Sequence, residues 1–549
     1  MISRKVRHAA GGCFLSLGLA ALIYAGHGDA WTGFWRYDDP AVLNYANGYR
    51  IADYFFNPAS LWRFESFNIN PMLAVSFLLD SMLFGLEPRF FYWHQLLGIW
   101  LASLATVLLL YRWVEPCWAW LGGALWILGS PVAIVSQQLM CRHYLEGLLF
   151  ALLAIYFYQE SVVRKRYQES ILAAFFYFLA VSYKEIYVPL VVLLPFLNSG
   201  SFHEKGRRLV PVLTVLALYV PWRFFMLGSI LGGMGLEIDY ARALSLLLST
   251  WEYFFGTLAI PVLLLFLSFL VILVLRFPQH IPAVVLTAGA LYAPLLPIAG
   301  IIGEVDRYFF GVWWAAVAAL CVGLSRLSLL FPKSHWLAAA LFLLAGFGAG
   351  HKFDQTRKRW APLHAEFDVQ GRFLWSSSGQ ETIWLSPRLS RNYWYVHELF
   401  QMKKEESPDF MAGPACLDES DLLPILEERA PLWVYDPAAG AMKRGEEEAR
   451  LKYADWKSRL EDRRLSLNLR FDASEGWIEW EAGPYREGRY LFLTGRGFWE
   501  LPPRGRLRNR SPDDFDVRLR YDSPQGWITY SDRLRISPLS EPAVRWHRP

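Results

Sequence analysis

The sequence predicts a mainly α-helical, polytopic membrane bundle of about eleven spans, followed by a soluble C-terminal part with an α/β region and an all-β region. Three observations predict it. The chain of 549 residues is 54% hydrophobic and only 19% charged, and the apolarity is concentrated before about residue 350, which is the membrane class. Its basic residues fall in short clusters between apolar runs, as topology signals do. Beyond residue 350 charge is dense and short stretches alternate with a period of two. The expected division is 1–350 as a transmembrane domain, 351–450 as a small α/β region and 451–549 as a β-sandwich-like module.

A net charge of +4 is too small to point to nucleic acid. Cys13, Cys117, Cys141, Cys321 and Cys416 are scattered, without a C-x-x-C pair or a disulfide spacing.

Crossing about 30 Å of hydrocarbon takes roughly 20 apolar residues. Segments of that kind lie near 9–27, 89–113, 117–136, 144–160, 168–183, 186–199, 208–227, 255–276, 280–302, 307–330 and 334–350. The first follows Arg4-Lys5-Val6-Arg7-His8 and has small residues near Ala25 and Ala30, so it also has the outline of a signal peptide. The charge pattern of the later loops favours an uncleaved first helix.

The stretch Pro71–Leu86 is apolar, but it is short, contains Asp80 and ends in Gly85-Leu86-Glu87-Pro88. Arg and Lys collect in cytoplasmic loops. With the N-terminus inside and Pro71–Leu86 not spanning, Arg164-Lys165-Arg166, Lys205 with Arg207-Arg208, Arg276, and Arg326 with Lys333 all fall inside. Pro71–Leu86 is therefore expected to lie at the interface or packed in the bundle. The C-terminal region is then extracytoplasmic, outside a plasma (inner) membrane, although Arg357-Lys358-Arg359 falls outside with it.

Five stretches face outward on that topology. The first, about Asp29 to Arg89, carries Asp38-Asp39-Pro40 and a Tyr-rich helical pattern from Ala41 to Phe56, stopped by Asn57-Pro58. The others are 137–143, 183–185, the glycine-rich run from Gly228 to about Phe254, and 302–308.

In the C-terminal part, Thr382–Leu385 and Leu432–Tyr435 read as strands, and Asn392–Met402 and Asp421–Glu428 as helices, a small α/β unit. Arg444–Arg464 reads as a charged linker or surface helix. Runs at 465–469, 476–480, 490–493, 517–521 and 527–530 are separated by Gly, Pro and Asp turns, as in a sandwich.

Ionisable residues near membrane depth raise a functional hypothesis by default, and here they gather at the outer ends of spans. Asp38 and Asp39 are a candidate general base and a second, orienting carboxylate. Arg142, His143, Lys184, Arg307 and the adjoining Tyr308 are candidates to hold a phosphate. Glu185, Glu304 and Asp306 are candidates to orient those cations. The bland readings are a helix start at Asp38-Asp39-Pro40, an interfacial anchor pair at Lys184-Glu185, and a solvated loop at 304–307. Two carboxylates are also donors that Mg2+ or Mn2+ accepts, with no third ligand evident.

Four places resemble the GT-C superfamily of membrane glycosyltransferases, in its protein O-mannosyltransferase and aminoarabinose-transferase branch and in the lumenal O-mannosyltransferases that carry TPR repeats. An acidic pair, Asp38-Asp39, follows the first span. Asn70-Pro71-Met72-Leu73 and Leu83-Phe84-Gly85-Leu86 precede the second. Tyr183-Lys184-Glu185 closes the fifth, and Glu304 to Tyr308 opens a late one. The likeness covers roughly residues 1–330. It implies a polyprenyl-phosphate sugar donor, a glycan, lipid or protein hydroxyl as acceptor, a first-loop Asp as base and basic residues on the carrier phosphate. The chain departs from the family in having Asp-Asp where Asp-Glu is common, no basic residue in Phe67-Asn68-Ile69-Asn70, and no TPR repeats. Two other classes stay open. A transporter or flippase of lipid-linked sugars calls for midplane charges and repeated halves. A non-catalytic, glycan-binding assembly protein would use the aromatic-rich β module.

Overall fold

The computed structural model describes residues 4–64, 68–197, 201–228, 240–276, 289, 292, 306–330, 335–377, 381–386, 393–410, 415–416, 418–428, 431–472, 477–494, 497–508, 515–536 and 544–547. Nearly all of the expected span at 280–302 lies outside them, as do residues 229–239 of the expected outer loop from Gly228; the rest of that loop belongs to a helix, Tyr240–Phe255. The chain divides into two compact units. One is Met1–Gly33, Asn68–Gly232 and Leu236–Ala361; the other is Phe34–Phe67, Gly233–Gly235 and Pro362–Pro549. Residues 34–67 of the first outer loop are thus grouped with the C-terminal part, and the division near the C-terminal side falls at 361/362, where the sequence suggested 350.

The first unit is helical. Among the described residues six helical segments are long and apolar enough to cross a membrane: Gly11–Thr32, Pro88–Leu110, Leu139–Arg164, Phe202–Leu227, Arg307–Leu329 and His335–Ser376. Pro116–Ile127 and Ser130–Gln137, bent by 56°, add a seventh if the pair counts as one span. The chain is a membrane protein by this measure, and eleven spans are not reached among the described residues. The reasons are local. Pro189 and Pro195 break the expected span at 186–199 into the short turns Glu185–Tyr187, Leu190–Leu193 and Leu194–Phe196. Tyr167–Tyr183 is helical but only 17 residues long. Pro71–Phe84 has 14 residues, about 21 Å at 1.5 Å per residue, short of a bilayer core.

Proline opens many of these helices at a position whose N–H has no intrahelical partner: Pro71, Pro88, Pro116 and Pro131. Ser201 caps Phe202–Leu227 by accepting the Glu204 N–H at 3.3 Å, and Gly228, at φ 69°, closes it in the left-handed conformation. Leu19, Ile99, Leu145, Leu152, Tyr177 and Trp313 belong to one buried core. At the bend after Ile127, the Trp313 indole donates to the Trp126 carbonyl at 2.9 Å. A Cβ on Gly129 would run into that indole.

In the second unit the helices Asp39–Gly48 and Ile51–Phe56 replace the single helix expected over 41–56, and Pro58–Phe64 follows the expected stop; Tyr49, at φ −137° and ψ 162°, is extended and interrupts the first. Strands β1 (Thr382–Trp384), β2 (Ala415–Cys416), β3 (Leu432–Asp436) and β4 (Ala441–Arg444) form a sheet in the order β2-β1-β3-β4. β1 is parallel to β2 and β3, and β4 is antiparallel to β3. With Tyr393–Glu406 and Leu422–Glu428 this is the expected α/β region, and Glu446–Arg459 is a helix.

Nine further strands follow: β5 (Ser466–Asp472), β6 (Trp477–Gly483), β7 (Arg489–Thr494), β8 (Gly497–Leu501), β9 (Arg504–Arg508), β10 (Phe515–Asp522), β11 (Ile528–Tyr530), β12 (Leu534–Ile536) and β13 (Val544–His547). One sheet runs β13-β5-β6-β9. The other runs β11-β10-β7-β8, with β12 on β10. Leu467, Leu469 and Trp480 from the first share a core with Phe492, Leu519 and Tyr521 from the second, so the all-β region is a sandwich. Beside it Arg520 bonds Asp522 and Glu419, each at 2.7 Å, and Tyr530 donates to Asp418 at 2.8 Å.

Candidate functional site

The residues expected to act fall in both units, and each group has its own geometry. Asp38 and Asp39 belong to the second. Arg36, 3% exposed, is held by a two-pronged ion pair: Nε donates to Asp368 Oδ1 at 2.7 Å and Nη2 to Oδ2 at 2.6 Å. The Phe34 N–H also reaches Asp368 Oδ1, at 3.0 Å, and the Tyr395 hydroxyl donates to the Trp35 carbonyl at 2.9 Å. Burial and the nearby carboxylates of Asp368 and Asp39 keep that phenol protonated, raising it well above its ordinary value. Tyr37 then takes a left-handed backbone, φ 48°, rare for a residue with a side chain, with its ring 4.5 Å from that of Phe367.

The turn so built treats the two aspartates differently. Asp39 is fully buried, and its Oδ2 accepts the Arg36 N–H at 2.9 Å. Asp38 occupies the N-cap position without a side-chain cap bond, and it is half-buried. Asp39 was a candidate to cap the following helix, and the structure corrects this: Asp38 holds the N-cap position, and the Asp39 carboxylate closes the preceding turn instead.

In the first unit, His143, Lys184, Arg307 and Tyr308 gather around the Tyr144 ring. His143 lies tilted beside it with ring centres 4.4 Å apart, Tyr308 meets it edge-on at 6.0 Å, and the Lys184 ammonium lies 5.3 Å from its centre. Arg307 lies over Tyr308 at 5.5 Å and donates to Gln138 Oε1 at 3.2 Å. Lys184 and His143 are 6% and 5% exposed. Lys184 leaves the helix Tyr167–Tyr183 in extended conformation, which turns the chain at that point.

A cavity of about 740 Å³ opens beside this cluster. Tyr187, Leu152, Ile155, Leu190 and Ala315 are among its walls, and Tyr308 stands at one end. The Tyr187 hydroxyl donates to the Tyr144 carbonyl at 2.5 Å, joining the cavity wall to the cluster. Gly311 and Arg326 both line it, fifteen positions apart on one helix. It therefore extends about 22 Å along that helix.

Arg142 does not join the cations. It is fully buried, with Nη1 to Asp80 at 2.6 Å and to Ser76 at 3.2 Å, Nε to Gln95 at 3.2 Å, and Nη2 to the Phe91 carbonyl at 2.8 Å. His94 bridges Asp80 at 2.8 Å and Glu146 at 3.3 Å, and Ser76 donates to Glu146 at 3.1 Å. Every guanidinium nitrogen is thus spent inside the protein, which corrects the expectation that Arg142 grips a phosphate. Asp80, His94 and Glu146 were not anticipated as a group. Their signal was ionisable residues inside apolar runs.

Glu185 likewise departs from its expected role beside Lys184: it accepts the Ile69 N–H at 3.0 Å and pairs with Arg223. Asp306 begins the turn Asp306–Phe309, and Glu304 lies outside the described residues. Among the described residues no three His, Cys, Asp or Glu side chains form a group suited to a metal ion. Asp39, one of the two carboxylates offered for Mg2+ or Mn2+, accepts the Arg36 N–H instead.

Comparison with known protein families and with curated proteins finds no match to this chain.

Proposed function

We propose that this protein is a membrane glycosyltransferase of the GT-C kind, taking a sugar from a polyprenyl-phosphate carrier and giving it to an acceptor hydroxyl on the extracytoplasmic face. The observation that carries the reading is the long, largely apolar cavity ending at Tyr308, beside buried Lys184 and half-buried Arg307. A long hydrocarbon chain with a phosphate at one end has that distribution of apolar surface and charge.

In this reading the carrier chain lies along the cavity, and Lys184, Arg307 and His143 meet the phosphate. The phosphate leaves already anionic, so it needs fixed positive charge more than a general acid. The half-buried Asp38 is the base that takes the acceptor proton. The bond from hydroxyl oxygen to the anomeric carbon forms as the bond to phosphate oxygen breaks, and direct displacement inverts the centre. Asp39, Arg36 and Asp368 hold the turn that presents Asp38. A left-handed non-glycine residue immediately before it is the kind of backbone outlier that clusters at functional sites. The proposed topology places the N-terminus inside and the C-terminal region outside, with about eleven spans in all.

The test is transfer by purified protein from synthetic polyprenyl-phosphate sugars to glycan, lipid and peptide acceptors, read by mass. A sugar-sized mass gain on an acceptor, lost in Asp38→Asn, supports the reading. Export of the intact lipid-linked sugar without transfer favours the transporter.

A further inference from the structure

The end of the cavity away from Tyr308 is polar. Gln159, 2% exposed, lines it, and its Nε2 donates to the Leu197 carbonyl at 3.3 Å. Its Oε1 has no hydrogen-bond partner among the described residues. Arg112 lines the same end, pairs with Glu160 and lies 4.3 Å from the Tyr156 ring centre, yet its buried Nε also lacks a partner there. Arg326, exposed, completes the rim. Polar atoms left unpaired inside a protein cost free energy until something bonds them. A polyprenyl chain entering from the Tyr308 end brings only hydrocarbon to this place.

The geometry points to a second amphiphile subsite here, for a membrane phospholipid whose headgroup carries both a phosphate and a hydrogen-bond donor, as phosphatidylethanolamine does. The phosphate accepts from Arg112 Nε and is faced by Arg326. The ammonium donates to Gln159 Oε1. One acyl chain runs along Leu152, Ile155, Leu190 and Val322 toward the middle of the cavity. The guanidinium pair selects an anionic oxygen, and the lone amide oxygen selects a donor, so phosphatidylcholine satisfies only the first. Carrier and phospholipid draw on one apolar wall and exclude each other where the chains overlap; that competition alone rests on the transferase reading.

The experiment uses the full chain in detergent, stripped of lipid and titrated with phosphatidylethanolamine or phosphatidylcholine of matched acyl chains. Bound lipid is read by native mass spectrometry. The expected result is about ten- to a hundredfold tighter binding of phosphatidylethanolamine, the range for one hydrogen bond to a charged group. Gln159→Leu abolishes that preference, and Arg326→Gln weakens both lipids. Equal binding of the two lipids to wild type, no saturable binding of either, or a preference untouched by Gln159→Leu overturns the proposal. No carrier or acceptor is present, so failure of the transferase reading leaves every arm of this test as it stands.

Discussion

The carboxylate of Asp80 and the guanidinium of Arg142 meet at 2.6 Å in a place where the arginine has no exposed surface at all. Taking one partner from a buried pair strands the other charge, typically at about 3–5 kcal/mol. Arg142→Gln is expected to lower thermal stability in detergent by that order. Asp80→Asn in the same chain should cost less when added to it than alone. Thermal melts of the two single variants and the double provide the measurement, and additive losses would contradict a shared network.

Lys184→Gln and Arg307→Gln remove cations from the end of the cavity near Tyr308. Each is expected to weaken polyprenyl-phosphate binding by about 1–3 kcal/mol, the worth of a hydrogen bond to a charged group. Calorimetric titration with an unglycosylated carrier measures this directly. Unchanged affinity in both variants removes the cluster from the donor site.

The aspartates should separate by kind of defect. Asp38→Asn keeps the shape of the turn and removes a proton acceptor, so turnover is expected to fall by about 10²–10⁴-fold with donor affinity retained. Asp39→Asn keeps an oxygen for the Arg36 N–H but loses its charge, and is expected to show a lowered melting temperature before a lost rate. Rate and melt, taken together on both proteins, distinguish the two roles.

In the sandwich, burial pushes the Tyr490 phenol up to about 12, and its hydroxyl donates to the Tyr485 carbonyl at 2.6 Å. An unfolded tyrosine ionises near about 10. The unfolded chain therefore loses its proton first, and the stabilisation present below pH ~10 drains away as pH rises toward 12. Denaturant titrations followed by tryptophan fluorescence should show midpoints falling over that window. Tyr490→Phe should flatten the fall.

Much of this was legible in the residues. The alternation at 465–469, 490–493 and 517–521 became β5, β7 and β10, because a half-buried strand has a period of two wherever its partners lie. The α/β region was legible for the same reason. The number of spans was less so: hydropathy counts apolar residues without regard to Pro189 and Pro195, which interrupt the helix those residues would make. Arg142 was misplaced because loop position identifies a charge but not its partner. Asp80 sits 62 residues away and His94 nearer still, and nothing in local spacing brings them together. The difference between Asp38 and Asp39 was legible as adjacency to Pro40, while the bond to Arg36 that decides it came only with the turn.

The indole of Trp313 that reaches the Trp126 carbonyl arrives 187 residues after it in the chain. At about 5–20 residues per second, a ribosome needs roughly 10–40 s to cover that stretch. Throughout that interval the carbonyl at the break between two apolar helices has only the Gly129 N–H, at 3.2 Å, and lacks its final indole partner. The bend after Ile127 is thus finished late, and the nascent chain carries an open joint in its early helices until the last third of the membrane domain has been made.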